Sequence, residues 1–109
     1  MPIAVGHALA TPNKQVYCMI SDGECAEGSI WEALRFIHDN KIDNLHVYVN
    51  INGMGAYDMV DSVQLAKRLQ VFLPRINLRF SEPHKWSFAE DLLTHYYVLK
   101  PEDYAEITQ

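Results

Sequence analysis

Residues 16 to 34 read VYCMISDGECAEGSIWEAL, and this stretch decides the fold. Val16 to Ile20 is a continuous apolar run of strand length, rich in strand formers, and predicts a buried strand. Ser21-Asp22-Gly23 breaks it with residues that favour turns. Ser29 and Glu32 then stand in the S-x-x-E spacing of a capping box, and Ile30, Ala33, Leu34 and Ile37 form a helical stripe that runs to Asn40. An acid at the tip of a buried strand raises a question, because an unpaired carboxylate is costly where water is scarce. Either the turn is solvated or Asp22 meets a cation.

Downstream, Leu45 to Val49 predicts a second strand, ended by Asn50-Ile51-Asn52-Gly53. Strand, helix, strand in this order implies a right-handed parallel unit. Leu65, Leu69, Phe72 and Leu73 mark a helix from about Ser62 to Leu73, stopped by Pro74, and 76–80 reads as a third strand. Upstream, residues 2–10 suit a short helix that begins without a polar cap, so the start looks cut, and Thr11-Pro12-Asn13-Lys14 is a turn. From Ser81 onward the pattern loosens into mostly loop, with a short helix over Phe88 to Leu93 and a terminal helical turn from Pro101 as the candidate elements. The expectation is an α/β fold with a parallel sheet, in one small domain over residues 1–109.

Composition narrows the function classes. The chain has 109 residues, nearly half of them apolar, and a formal charge of −5. No Lys/Arg stripe supplies the electrostatic footprint of a nucleic-acid binder. No apolar run approaches the roughly 20 residues that cross a bilayer, and residues 1–6 lack the basic start of a secretory signal. A cytoplasmic protein without a membrane or nucleic-acid partner is expected. Cys18 and Cys25 have no metal spacing and read as reduced thiols.

Ligands of parallel α/β sheets bind beyond the carboxyl ends of the strands. Asp22 and Asn52 both fall there. If their strands are neighbours, a carboxylate and an amide oxygen converge as oxygen-only ligands suited to magnesium rather than zinc. The Gly23 turn would offer backbone N–H groups to a phosphate. Plainer readings stand beside these: Asp22-Gly23 as an ordinary turn, and Glu32 as the capping acid. The histidines have no ligand spacing; His38 and His46 read as surface residues and His7 as packed on its helix. Trp31, Phe36, Tyr48 and Phe72 read as core.

Asp22-Gly23, a gap and Asn52 resemble the thiamine diphosphate signature, usually written GDG followed after 26 to 30 residues by an asparagine. Glu24-Cys25-Ala26-Glu27-Gly28-Ser29-Ile30-Trp31-Glu32-Ala33 is similar to the transketolase version, in which E-G-x-x-x-E-A follows the glycines. Asn44-Leu45, Asn52-Gly53, Phe88-Ala89-Glu90, His95-Tyr96-Tyr97 and the opening Pro2 to Ala10 extend the resemblance over nearly the whole chain.

The resemblance implies a shortened thiamine diphosphate-binding domain. Asp22 and Asn52 would ligate a divalent ion, Mg2+ or Ca2+, with the backbone carbonyl of Met54 as third ligand. Ser21, Gly23 and Glu24 would lie along the diphosphate, and Glu27 and Glu32 would match catalytic acids near a subunit contact. The family transfers a two-carbon ketol unit from a ketose to an aldose. Because the pyrimidine domain is missing, the resemblance further implies a homodimer or a hetero-oligomer with a pyrimidine-binding subunit, and no activity from the chain alone. An alternative is a transketolase-derived remnant that serves as an interaction module without cofactor. Two departures stand out. Ser21 replaces the first glycine of GDG, and the stretch between Asp58 and Phe80 is short for the family.

Overall fold

The computed structural model describes residues 1–55, 58–82, 84–89, 92 and 96–108. Helix α1 (Pro2–Ala10) leads into strand β1 (Val16–Ser21), a 3-10 turn (Gly23–Ala26) and helix α2 (Gly28–Asp39). Strand β2 (Leu45–Ile51), helix α3 (Ser62–Phe72) and strand β3 (Asn77–Phe80) follow. A 3-10 turn (Pro101–Asp103) and the short helix α4 (Tyr104–Ile107) close the chain.

The strands form a three-stranded sheet in the order β1-β2-β3, parallel throughout. Val16 pairs with Leu45 and Ser21 with Asn50, so β1 and β2 run side by side to their carboxyl ends. The parallel α/β unit is therefore as the sequence implies, and each strand lies within two residues of its expected bounds. The pattern along β2 shows why. Leu45, Val47, Val49 and Ile51 are buried in alternation with half-buried His46, Tyr48 and Asn50, the period-2 signature of a strand with one apolar face.

Those inward residues join Val5 and Ala8 of α1, Ile30, Ala33, Leu34 and Ile37 of α2, and Leu65 and Leu69 of α3 in one core. Leu34, Ile37, Leu45, Val49 and Leu69 are completely enclosed, and each such side chain contributes about 1.5–3 kcal/mol. Helices α1, α2 and α3 thus share one face of the sheet. On the opposite face Tyr17 and Met19 are 67% and 72% exposed. Tyr17 stacks on His46, and the Arg79 guanidinium sits over the Tyr48 ring.

Two side chains tie the layers together. Asn44 donates from Nδ2 to the carbonyls of Ala8, Thr11 and Lys14 at 3.0–3.2 Å, fastening the end of α1 and its turn to the start of β2. Arg75 donates to the carbonyls of Leu45 and Ile42.

Several expectations need correction. The capping box does not form at Ser29 and Glu32. The 3-10 turn ends with the Glu27 N–H donating to the Glu24 carbonyl, which leaves Glu27 extended as the residue preceding α2. The helix therefore starts at Gly28, Ser29 is already helical, and the Glu27 side chain makes no capping hydrogen bond. Sequence reading missed the cap of α3: Asp61 Oδ1 accepts from the Gln64 N–H at 3.0 Å. Phe36 and Phe72 are 43% and 37% exposed, not core, because each lies at the margin of its helix's buried stripe. Trp31 and Tyr48 are half-buried. His7 is exposed rather than packed, since α1 buries only Val5 and Ala8.

The carboxyl-terminal segment forms a small cluster of its own. Trp86 and Phe88 stack with ring centroids 5.9 Å apart, and Phe88 meets Tyr97 at 5.2 Å. Buried Asp103 accepts from the Tyr97 hydroxyl and the Lys100 N–H. The expected helical turn at Pro101 is present; half of the candidate helix over 88–93, like His95, lies outside the described residues. Among the described residues no helix is long and apolar enough to cross a membrane.

Candidate functional site

The register of β1 and β2 carries Asp22 and Asn52 to adjacent strand ends, as their positions in the sequence implied. Asp22 is 1% exposed. Its backbone N–H extends the ladder to the Asn50 carbonyl, and its carboxylate is gripped by backbone amides. Oδ1 accepts from the Gly23 N–H at 2.9 Å; Oδ2 accepts from Asn52 and Gly53 at 2.9 and 2.7 Å. Three N–H donors answer how an acid survives at this strand tip, because a buried carboxylate is tolerated when its lone pairs are occupied.

Asn52 adds a second local bond, its Oδ1 accepting from the Met54 N–H at 2.9 Å. The chain then folds back: Met54 bridges Met59 in antiparallel fashion, Val60 donates to Gly53, and Gly55 donates to Asp58. Gly53 has φ +79, a left-handed conformation that favours glycine. A Cβ on Gly55 would lie 2.6 Å from the Asp58 carbonyl oxygen. Two glycines are thus required for the loop that follows Asn52.

The turn after Asp22 is closed on itself. Ser21 N–H donates to Glu24 Oε2 at 2.8 Å, Ser21 Oγ donates to the same oxygen at 3.1 Å, and the Glu24 N–H donates back to Ser21 Oγ at 3.2 Å. This is the reciprocal pairing of a capping box, eight residues before the position where the spacing S-x-x-E first drew attention. The Cys25 N–H goes to the Asp22 carbonyl. The amides of Gly23, Glu24 and Cys25 are therefore donated within the turn, which corrects the expectation that they stand free for an anion.

Asp22 and Gly23 border a cavity of about 660 Å³ whose wall continues through Glu27, Trp31, Asp61 and Arg68. Buried Cys25 lies in the same wall, and its thiol is pushed up to about 11 by burial and by the nearby Asp22 and Glu24 charges. It is a poor nucleophile at neutral pH. Trp31 donates from Nε1 to the Cys25 carbonyl at 2.8 Å and meets Phe72 edge-on at 5.1 Å. These two rings separate the cavity from an apolar groove of about 830 Å³ between α1 and α2, where Glu32 lies. Glu27 and Glu32, grouped by the sequence, therefore face different hollows.

Carboxylate, amide and carbonyl oxygens are the kind of ligand a hard cation would take. Among the described residues Asp22 Oδ1 accepts one hydrogen bond and Asn52 Oδ1 one, and such an oxygen offers two lone pairs. Each side chain retains one site for an oxygen-seeking divalent ion, with the Met54 carbonyl in the same loop. Among the described residues no group of three or more His, Cys, Asp or Glu gathers for a metal, so a cation here would need amide and carbonyl oxygens beside the Asp22 carboxylate.

No family model and no solved structure matches the chain. Curated proteins do. Transketolase of Homo sapiens is 48% identical over 44 residues, which are 40% of this chain and 7% of that protein. Transketolase of Mus musculus is 50% identical over 44 residues with the same coverage. Transketolase-like protein 2 of Bos taurus is 40% identical over 50 residues, 46% of this chain and 8% of the relative. The matched stretch spans less than a tenth of each relative's length, and over that stretch the chain is similar to transketolases and a transketolase-like protein.

Proposed function

We propose that the chain is a diphosphate-binding part of a transketolase-like enzyme, taking thiamine diphosphate through Mg2+ or Ca2+. The observation that carries this reading is the meeting of Asp22, which borders the cavity, with Asn52 at the carboxyl ends of two adjacent parallel strands. The partial transketolase similarity supports it. Asp22, Asn52 and the Met54 carbonyl would hold the ion, and Gly23 would let backbone come close to the diphosphate. Glu27 stands on the cavity wall, where it can meet a ligand or a partner. The bound cofactor would supply the electron sink for ketol transfer between sugars; the chain's own residues bind, orient and shield. A pyrimidine-binding subunit or a second copy completes the site in this reading, and the chain alone is inactive.

One observation favours a second reading. The three amide donors account for buried Asp22 without any cation, as a non-catalytic remnant kept as an interaction module would require, with the α1–α2 groove as its contact surface. Titration calorimetry of the purified chain with thiamine diphosphate, with and without Mg2+, separates the two. Magnesium-dependent heat of binding upholds the enzyme part. No heat at millimolar cofactor leaves the interaction module.

A further inference from the structure

We infer that Ser21 and Glu24 are positioning residues: their mutual clamp sets the Asp22 carboxylate. This deepens the proposed function and rests on it for the cation. The clamp consists of the three bonds linking the two residues around Asp22-Gly23. Asp22 is the residue enclosed by it, in helical geometry with φ −64 and ψ −35. Fixing both neighbours of a two-residue segment fixes the direction of the side chain between them, because χ1 preferences follow the backbone. The carboxylate then reaches the Gly23 amide on its own turn and the Asn52 and Gly53 amides across the strand ends.

Chemistry argues against the alternative that Glu24 itself holds the ligand. Oε2 is committed to the Ser21 N–H and hydroxyl, and the bonds run back toward β1. Ser21 likewise has its hydroxyl engaged as both donor and acceptor. A serine at this place gives what glycine cannot, an oxygen that accepts the Glu24 amide. Replacing Ser21 by glycine therefore loosens the site.

The test uses Mn2+ with thiamine diphosphate, read by electron paramagnetic resonance of free Mn2+, and amide hydrogen exchange at Asn52 and Gly53 without ligand. Ser21→Gly and Glu24→Ala should weaken Mn2+ binding at least about fivefold, the worth of one net hydrogen bond. Both should speed exchange at Asn52 and Gly53. Glu24→Gln keeps an oxygen acceptor while removing the charge, so it should stay within about twofold of the parent. Equal losses for Glu24→Gln and Glu24→Ala would overturn the inference, since the charge would then act on the cation directly. Tighter binding by Ser21→Gly would also overturn it. If the parent chain binds no Mn2+, the cofactor reading fails alone. The clamp is then decided by exchange, and unchanged Asn52 and Gly53 rates in Glu24→Ala reject it.

Discussion

The Gly53 N–H donates to Oδ2 of Asp22 at 2.7 Å, joining residues 31 apart in sequence across the ends of β1 and β2. With the Asn52 bond to the same oxygen, it makes the carboxylate a staple between strands. The sequence reading assigned Asp22 to a cation; the three amide bonds give its carboxylate a structural role as well. Asp22→Ala strands three backbone donors, two of them on the neighbouring strand end, and an unsatisfied buried group costs about 1–3 kcal/mol. Water reaches some of them after truncation, so destabilisation of about 3 kcal/mol is expected in urea unfolding. A midpoint equal to the parent's would refute the staple.

Asn44 is the second cross-link. One amide group serves three carbonyls of α1 and its turn. Asn44→Ala should destabilise by about 1–2 kcal/mol and accelerate amide exchange at Ala8 and Thr11 more than in β3. Uniform acceleration throughout the chain would mean that Asn44 does not act locally.

Cys25 gives a pH signature. Its folded thiol titrates near 11, above the ordinary 9.0. A raised pKa means that the folded state holds the proton longer, so the contribution is complete below pH 9 and is lost as pH rises toward 11. Native protein should show slow alkylation of Cys25 at pH 8, and denaturant should abolish the protection. Rapid native labelling, located by peptide mass analysis, would contradict the burial.

Trp31 combines a hydrogen bond with an edge-on contact to Phe72. Trp31→Phe keeps a ring and loses the bond, costing about 1 kcal/mol. Trp31→Ala loses both, and about 3 kcal/mol is expected. Calorimetric unfolding of the two variants checks the order. Equal losses would mean that the hydrogen bond outweighs the ring contact.

Much of the architecture was legible because the chain punctuates itself clearly. Leu45, Val47, Val49 and Ile51 alternate, Pro74 stops α3, and the stripe from Ile30 to Ile37 has one period, so element order and parallel pairing followed. The adjacency of Asp22 and Asn52 followed from topology. What escaped was hydrogen-bond partnership. S-x-x-E occurs at Ser21–Glu24 as well as at Ser29–Glu32, and spacing cannot tell which pair faces a free helix end; the extended backbone of Glu27 decides. Nor does a sequence reveal that amide hydrogens at a strand tip are spent on the nearest carboxylate. Phe36 and Phe72 misled because an aromatic ring is apolar wherever it sits, while a short helix has room to bury only one narrow stripe.

The uncovered side of the sheet bears on how the protein answers denaturant. Parallel sheets ordinarily sit between two layers of helix, yet Tyr17 and Met19 remain in water. Surface that is already wet cannot be newly exposed when the chain unfolds, so the slope of stability against urea falls below that of a doubly covered sheet of equal length. The heat-capacity increment shrinks for the same reason, which flattens the temperature dependence of stability. Any molecule that settles over Tyr17 and Met19 would steepen both, and would make the unfolding of the sheet more sharply dependent on denaturant and temperature.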